Sequence, residues 1–177
     1  VIFSLLIGSS ACRRGEQKAV VPALPVALKI RTETGLNEPF SLTGSFDYSS
    51  ENLSFTGNFW LVKDTTLRVK VFGPLGLGRQ EFTIRDFGQD ILNFIFGFTD
   101  TLTGLLIVRD NTFTSPDGSF SFTTGKDARV LYVSTDEYKI YLMDYKKRRR
   151  LNIPHKIRVV YRDGVINIRI KQVELPS

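Results

Sequence analysis

Apolar and polar residues alternate along most of this chain. "FSLTGSFDYS" places Phe40, Leu42, Phe46 and Tyr48 on one side of an extended segment, and "NLSFTGNFWLV" does the same with Leu53, Phe55, Phe59 and Leu61. "TLRVKVF" sets Leu67, Val69 and Val71 against Arg68 and Lys70. Residues two apart share a face of a strand, so each run predicts a strand that is greasy on one side and wet on the other. "QEFTIRD" (80–86) reads as a resumed strand beyond a Gly/Pro loop, and strands return at "SFSFTT", "ARVLYVS" and "YKIYLMDY". "KIRVVYRDGVINIRIKQVEL" predicts a hairpin turning on Asp163-Gly164, a favoured two-residue turn.

Two stretches are less regular. "VALKIRT" (26–32) fits a strand or a short helix equally. "GQDILNFIFGFTDTLTGLLIV" (88–108) is apolar on too many sides for a half-buried strand. Its Ile91, Leu92, Ile95, Phe96 and Phe98 fit helical spacing, which predicts one short helix over the sheet and then a loop or strand. A pair of fully buried strands is the alternative. About nine to eleven strands result, and an antiparallel sheet that long must curl. The expected class is mostly β (α+β): a single curled antiparallel sheet forming an open half-barrel with a short helical lid. Its one-sided alternation lets it wrap an apolar hollow. Candidates for lining the hollow are Phe46, Phe55, Phe59, Trp60, Leu67, Val69 and Val71. The same Trp and Phe residues could instead plug it.

The composition agrees with one folded domain. The chain has 177 residues, 42% hydrophobic and 24% charged, and its fourteen Phe and six Tyr favour strands. The single cysteine, Cys12, rules out an internal disulfide. It follows "VIFSLLIGSSA", a short apolar run closed by small residues, which reads as the end of a truncated secretion signal (1–11). The small residues before Cys12 resemble a bacterial lipobox, although Ser9 stands where leucine is usual. On that reading Cys12 is the acylated N-terminus; an ordinary signal peptide with an incidental cysteine is the other reading. Residues 12–25, "CRRGEQKAVVPALP", read as anchor and tether, leaving 26–177 as the domain.

Catalytic chemistry is hard to assemble. The only histidine, His155, stands at a strand entrance beside Pro154, and no G-x-S-x-G, phosphate loop or calcium loop occurs. No catalytic residue, metal site or cofactor is expected, and the chain reads as a non-enzyme. The net charge is +6, and "YKKRRR" (145–150) is its densest run. That run suits an anionic partner, phospholipid headgroups or an acidic protein face, or else a solvated loop. No aromatic-plus-basic recognition motif points to nucleic acid. One loop is unusual: "GPLGLG" (73–78) holds Leu75 and Leu77 among Gly73, Pro74, Gly76 and Gly78, where turns are normally polar.

The run from Gly44 to Ile84 resembles the outer-membrane lipoprotein insertase family (LolB), of the LolA/LolB-like superfamily. The residues that carry this are Gly44 with Phe46, the Phe59-Trp60 pair and the Pro74-Leu75-Gly76 loop. The C-terminal Pro-led strand, D-G hairpin and last strand are also similar. The middle departs, since residues 88–120 lack the family's tryptophan and have no proline before Pro116. The resemblance implies a monomer anchored by lipid to the periplasmic face of the outer membrane. It would accept lipoproteins from a periplasmic carrier through an apolar cavity and insert them into the bilayer. Pro74, Leu75, Gly76 and Leu77 would form the membrane-contacting loop, with Leu75 as the protruding leucine; a Leu75 folded onto the core is the competing possibility. A phospholipid- or glycolipid-binding lipoprotein without insertase activity is the alternative function.

Overall fold

The structure, a computed structural model, describes residues 19–73 and 81–176, the side chains of 81–88 excepted. Strand β1 (Ala19–Pro22) leads directly into helix α1 (Ala23–Thr34). Three long strands follow: β2 (Phe40–Ser49), β3 (Ser54–Lys63) and β4 (Leu67–Phe72). Helix α2 (Glu81–Thr101) comes next, then β5 (Leu105–Arg109), β6 (Thr112–Thr114), β7 (Phe120–Thr124) and β8 (Val130–Thr135). Strands β9 (Tyr138–Arg148), β10 (Leu151–Tyr161) and β11 (Val165–Glu174) close the chain. All eleven form one antiparallel sheet in the order β1-β5-β6-β7-β8-β9-β10-β11-β2-β3-β4. The sheet is not closed; β1 and β4 are its edges.

The sheet curls around α2. Phe96 meets Phe40 of β2 with ring centroids 6.2 Å apart, and Phe98 meets Phe122 of β7 at 5.8 Å. Strands β2 and β7 are five places apart in the order. A flat sheet would hold them roughly 24 Å apart at about 4.8 Å per step, so only a curled one can touch a single turn of one helix from both.

Three expectations need correction. First, "QEFTIRD" is not a strand, because α2 already begins at Glu81. The run Ile84, Phe87, Ile91, Ile95, Phe98 keeps a three-or-four spacing across the whole helix; inside the seven-residue window 80–86 only Phe82 and Ile84 are apolar, and they pass for alternation. Second, β1 and the start of α1 occupy all of 19–25, so regular structure starts before the expected boundary at 26. Pro25 is tolerated there because the first helical turn has no internal partner for its missing N–H. Helix α1 ends at Gly35 in the left-handed conformation (φ 73°), where a Cβ would also lie 2.4 Å from the Arg150 carbonyl oxygen. Third, the β10–β11 turn is centred one residue early, on Arg162-Asp163, with Tyr161 N–H donating to the Gly164 carbonyl at 2.8 Å. Gly164 is needed for space, since its Cβ would stand 2.7 Å from the Tyr48 hydroxyl.

Candidate functional site

The inner face of β2 and β3 is built from two glycine–phenylalanine pairs. Gly44 lies directly across from Phe59, and Phe46 across from Gly57. A Cβ on either glycine would come within 2.5 Å of the facing ring. Each ring therefore lies flat over a glycine, and the pairs fix the register while smoothing the wall. Phe46, Phe59, Val69 and Val71 are buried on this face. Phe55 is half-buried, stacked on Tyr48 at 4.9 Å and edge-on to Phe46 at 6.3 Å, and Leu67 is half-buried beside them. Trp60 is not a lining residue. It projects from the opposite, outer face, 39% exposed, with Lys70 Nζ 5.5 Å above its ring. The period of two dictates this: with Phe59 and Leu61 inward, Trp60 between them must face outward.

The hollow itself is occupied. Ile91, Leu92, Ile95, Phe96 and Phe98 of α2 are buried against the inner face, and Phe94 packs against Tyr138 at 5.5 Å. Among the described residues a cavity of about 20 Å³ lies between α1, α2, β9 and β10, lined by Ile30, Phe96, Leu142 and Tyr145 among others. That is room for roughly one water. Among the described residues, the part of the hollow facing Ile91 to Phe98 is thus filled by the chain's own helix rather than vacant, and that helix is a full 21 residues long rather than short.

The seat of α2 is apolar in the middle and polar at one end. Asp100, near its C-terminus, pairs with Arg31 of α1 and lies 3.7 Å from Lys63 of β3. Burial pulls the Lys63 ammonium below its usual pKa; Asp100 opposes that pull and Arg31 adds to it. Two buried side-chain oxygens of α2, Asn93 Oδ1 and Thr99 Oγ1, have no hydrogen-bond partner among the described residues. Each such group costs about 1–3 kcal/mol in the seated position. The Arg31–Asp100–Lys63 set has no sequence signal, because its members come from three elements that only the fold brings together.

Cys12, Pro74, Leu75, Gly76 and Leu77 lie outside the described residues. The chain connectivity still places 74–80 between the edge strand β4 and the start of α2. Phe72, the last residue of β4, is 46% exposed on the same outer face as Trp60. His155 is half-buried, its Nδ1 3.2 Å from the Ile170 carbonyl oxygen. Among the described residues no His/Cys/Asp/Glu cluster could hold a metal, and no helix is long and apolar enough to cross a membrane.

By sequence, no family model and no curated protein matches the chain. Solved structures do resemble it. A DUF1329 family protein from Desulfovibrio piger superposes with a TM-score of 0.58 at 9% identity, covering 86% of this chain and 91% of that one. A domain from Vibrio parahaemolyticus named for outer membrane lipoprotein sorting gives 0.52 at 7% identity, with 87% and 92% covered. A LolA superfamily protein from Nitrosomonas europaea gives 0.51 at 7% identity, with 89% and 94% covered. An unclosed antiparallel sheet curled around two helices is the fold this chain shares with those proteins, at identities that speak to the fold alone.

Proposed function

We propose that the protein binds acyl chains in the hollow that α2 now fills, and passes them on without any catalytic step or cofactor. The observation that carries this is an apolar helix lying in an unclosed, aromatic-lined sheet with two of its polar atoms unsatisfied. Five large apolar side chains of α2 leave water on seating, roughly 8–15 kcal/mol at ~1.5–3 each. A triacylated lipoprotein with about 45 methylenes would lose roughly 36 kcal/mol by entering water, at ~0.8 per methylene. Acyl chains offered in water therefore outbid the helix for the hollow. Once a bilayer takes the chains they lose nothing, while α2 regains its burial, so release into a membrane runs downhill.

In the finer form of this reading the protein is an outer-membrane lipoprotein anchored through acylated Cys12. It receives lipoproteins from a periplasmic carrier and inserts them into the bilayer. Residues 74–77 precede in sequence the helix that must move, and Leu75 is the membrane-touching residue of this reading. Burying one leucine gives ~1.5–3 kcal/mol, enough for a brief touch and too little to anchor anything. Trp60, Lys70 and Phe72 on the neighbouring outer face combine aromatic and basic groups in the manner of membrane-interface residues. Leu75→Glu is expected to abolish lipoprotein insertion while leaving the fold and acyl-chain uptake intact; unchanged insertion overturns the insertase form.

A second reading is favoured by the small residual cavity: a tethered domain whose interior is permanently plugged by α2. Titration with a fluorescent fatty-acid probe separates the two. Saturable uptake supports acyl-chain binding, and no uptake at any probe concentration supports the plug. Native mass spectrometry then distinguishes a carrier of lipoproteins from one that holds only phospholipid or glycolipid.

A further inference from the structure

The pairing of β10 with β11 stops halfway. It runs from Val160↔Val165 to Lys156↔Arg169; beyond that point β10 stays with β9, and β11 continues along β2 to Glu174↔Ser41. The sheet forks at His155 and Ile170. Side chains replace the missing ladder: Arg148 donates to the Val173 carbonyl oxygen, and His155 Nδ1 contacts that of Ile170. Since a carbonyl only accepts, Nδ1 carries the proton. The fork opens a cleft of about 470 Å³ with buried Leu151, Ile153 and Val173 as its floor. Lys146, Lys147, Arg148 and His155 stand around it with Gln172 and Lys171, the Lys171 Nζ also lying 3.5 Å from Asn58 Oδ1 of β3.

The cations are in excess. No carboxylate among the described residues pairs with Lys146, Lys147 or Arg149. Of two nearby acids, Asp144 pairs with Lys156 at 3.6 Å, and Glu174 accepts from Gln172 at 2.7 Å and from Ser41 at 3.5 Å. Arg149 also holds a left-handed φ of 54° in the β9–β10 turn, where Gly or Asn would be unstrained. Like charges crowded over an apolar floor repel one another until an anion joins them, and the low dielectric beneath strengthens that attraction. Arg148 already spans the fork from β9 to the Val173 carbonyl of β11, so a tetrahedral oxyanion beside it can also draw in Lys146 and Lys147.

We propose that this fork binds a phosphate group, carried by an anionic lipid headgroup or free in solution. This site lies apart from the hollow and does not depend on the acyl-chain reading. An anion there favours protonated His155. Asp144, Lys146, Lys147 and Arg148 of β9, Lys156 of β10 and Lys171 of β11 are the charges in its surroundings. In the empty fork burial, followed by Lys146, holds the imidazole below its usual pKa.

The test uses the full chain, whose single histidine gives an isolated NMR probe. Inorganic phosphate, and separately phosphatidylcholine vesicles with about one quarter phosphatidylglycerol, are titrated against wild type, Lys146→Gln/Lys171→Gln and Arg158→Gln/Arg169→Gln. The last pair removes the same charge from exposed sites on the paired part of β10 and β11. The expected result is a phosphate-dependent rise in the His155 pKa, and vesicle affinity at least about tenfold lower for the fork variant than for the control variant. A response to inorganic phosphate names the free ion as a sufficient ligand; a response to vesicles alone names the lipid headgroup. Equal losses in both variants mean diffuse attraction and overturn the site. So does fork-dependent binding of a glutamate-rich peptide with no response to phosphate.

Discussion

The two Gly–Phe pairs show how much a single residue decides here. Gly44 and Gly57 are not turn residues; they stand mid-strand, where glycine is otherwise a liability. Their function is to let Phe59 and Phe46 lie flat across the strand. Gly44→Ala is expected to destabilise the fold by about 1–3 kcal/mol through overpacking, read as a lower urea midpoint with unchanged slope. An unshifted midpoint would mean the rings have room to spare. The sequence shows the pairs as two G-x-F motifs, Gly44-Ser45-Phe46 and Gly57-Asn58-Phe59, but only the register reveals that they face each other. Trp60 is the opposite case. Its outward position was legible from the alternation around it, and its bulk argued misleadingly for the inside.

The strands β2, β3, β4, β9, β10 and β11 were legible as elements because each has one wet face, which prints a period of two on the sequence. Helices were harder. In α1 the buried residues are Ala23, Ala27, Ile30 and Thr34, small or polar for the most part, while Leu24 and Leu28 face solvent. The hydrophobic pattern of "VALKIRT" therefore does not mark the buried face. Helix α2 packs on several sides at once, so its period was blurred. The polar cluster at its C-terminal end pairs it with α1 and β3. Asp100→Ala is expected to cost about 0.5–1 kcal/mol, since Asp100 is partly exposed. It should also speed amide hydrogen exchange along α2 and make fatty-acid uptake easier. Exchange rates equal to wild type would show that Arg31 and Lys63 do not latch the helix.

At the scale of the whole molecule, charge and protonation couple to stability. His155 has a folded pKa below its unfolded value, so the unfolded chain binds the proton more readily. Its contribution is present above about pH 6.5 and is lost as the pH falls through the lower folded value. Asp64, Asp117 and Asp127 are likewise lowered: Asp64 chiefly by the Thr66 N–H, Asp117 by the Ser115 hydroxyl and Asp127 by Arg129. Their stabilisation is lost at more acid pH, as each carboxylate becomes protonated. The melting temperature is thus expected to fall in two stages on acidification, and His155→Gln should remove the first stage only. A first stage unchanged in that variant would assign it to another group.

The sequence by itself determined the class: many one-faced strands, antiparallel, in a sheet too wide to stay flat. Period and composition are local properties, and local properties survive in a string of letters. Only the tertiary structure decided that α2 fills the hollow, that Asp100 meets Arg31 and Lys63, and that the sheet forks at His155. Each of these depends on which distant segments become neighbours. Curl and register set that, and they arise from the packing of all the strands together rather than from any one of them.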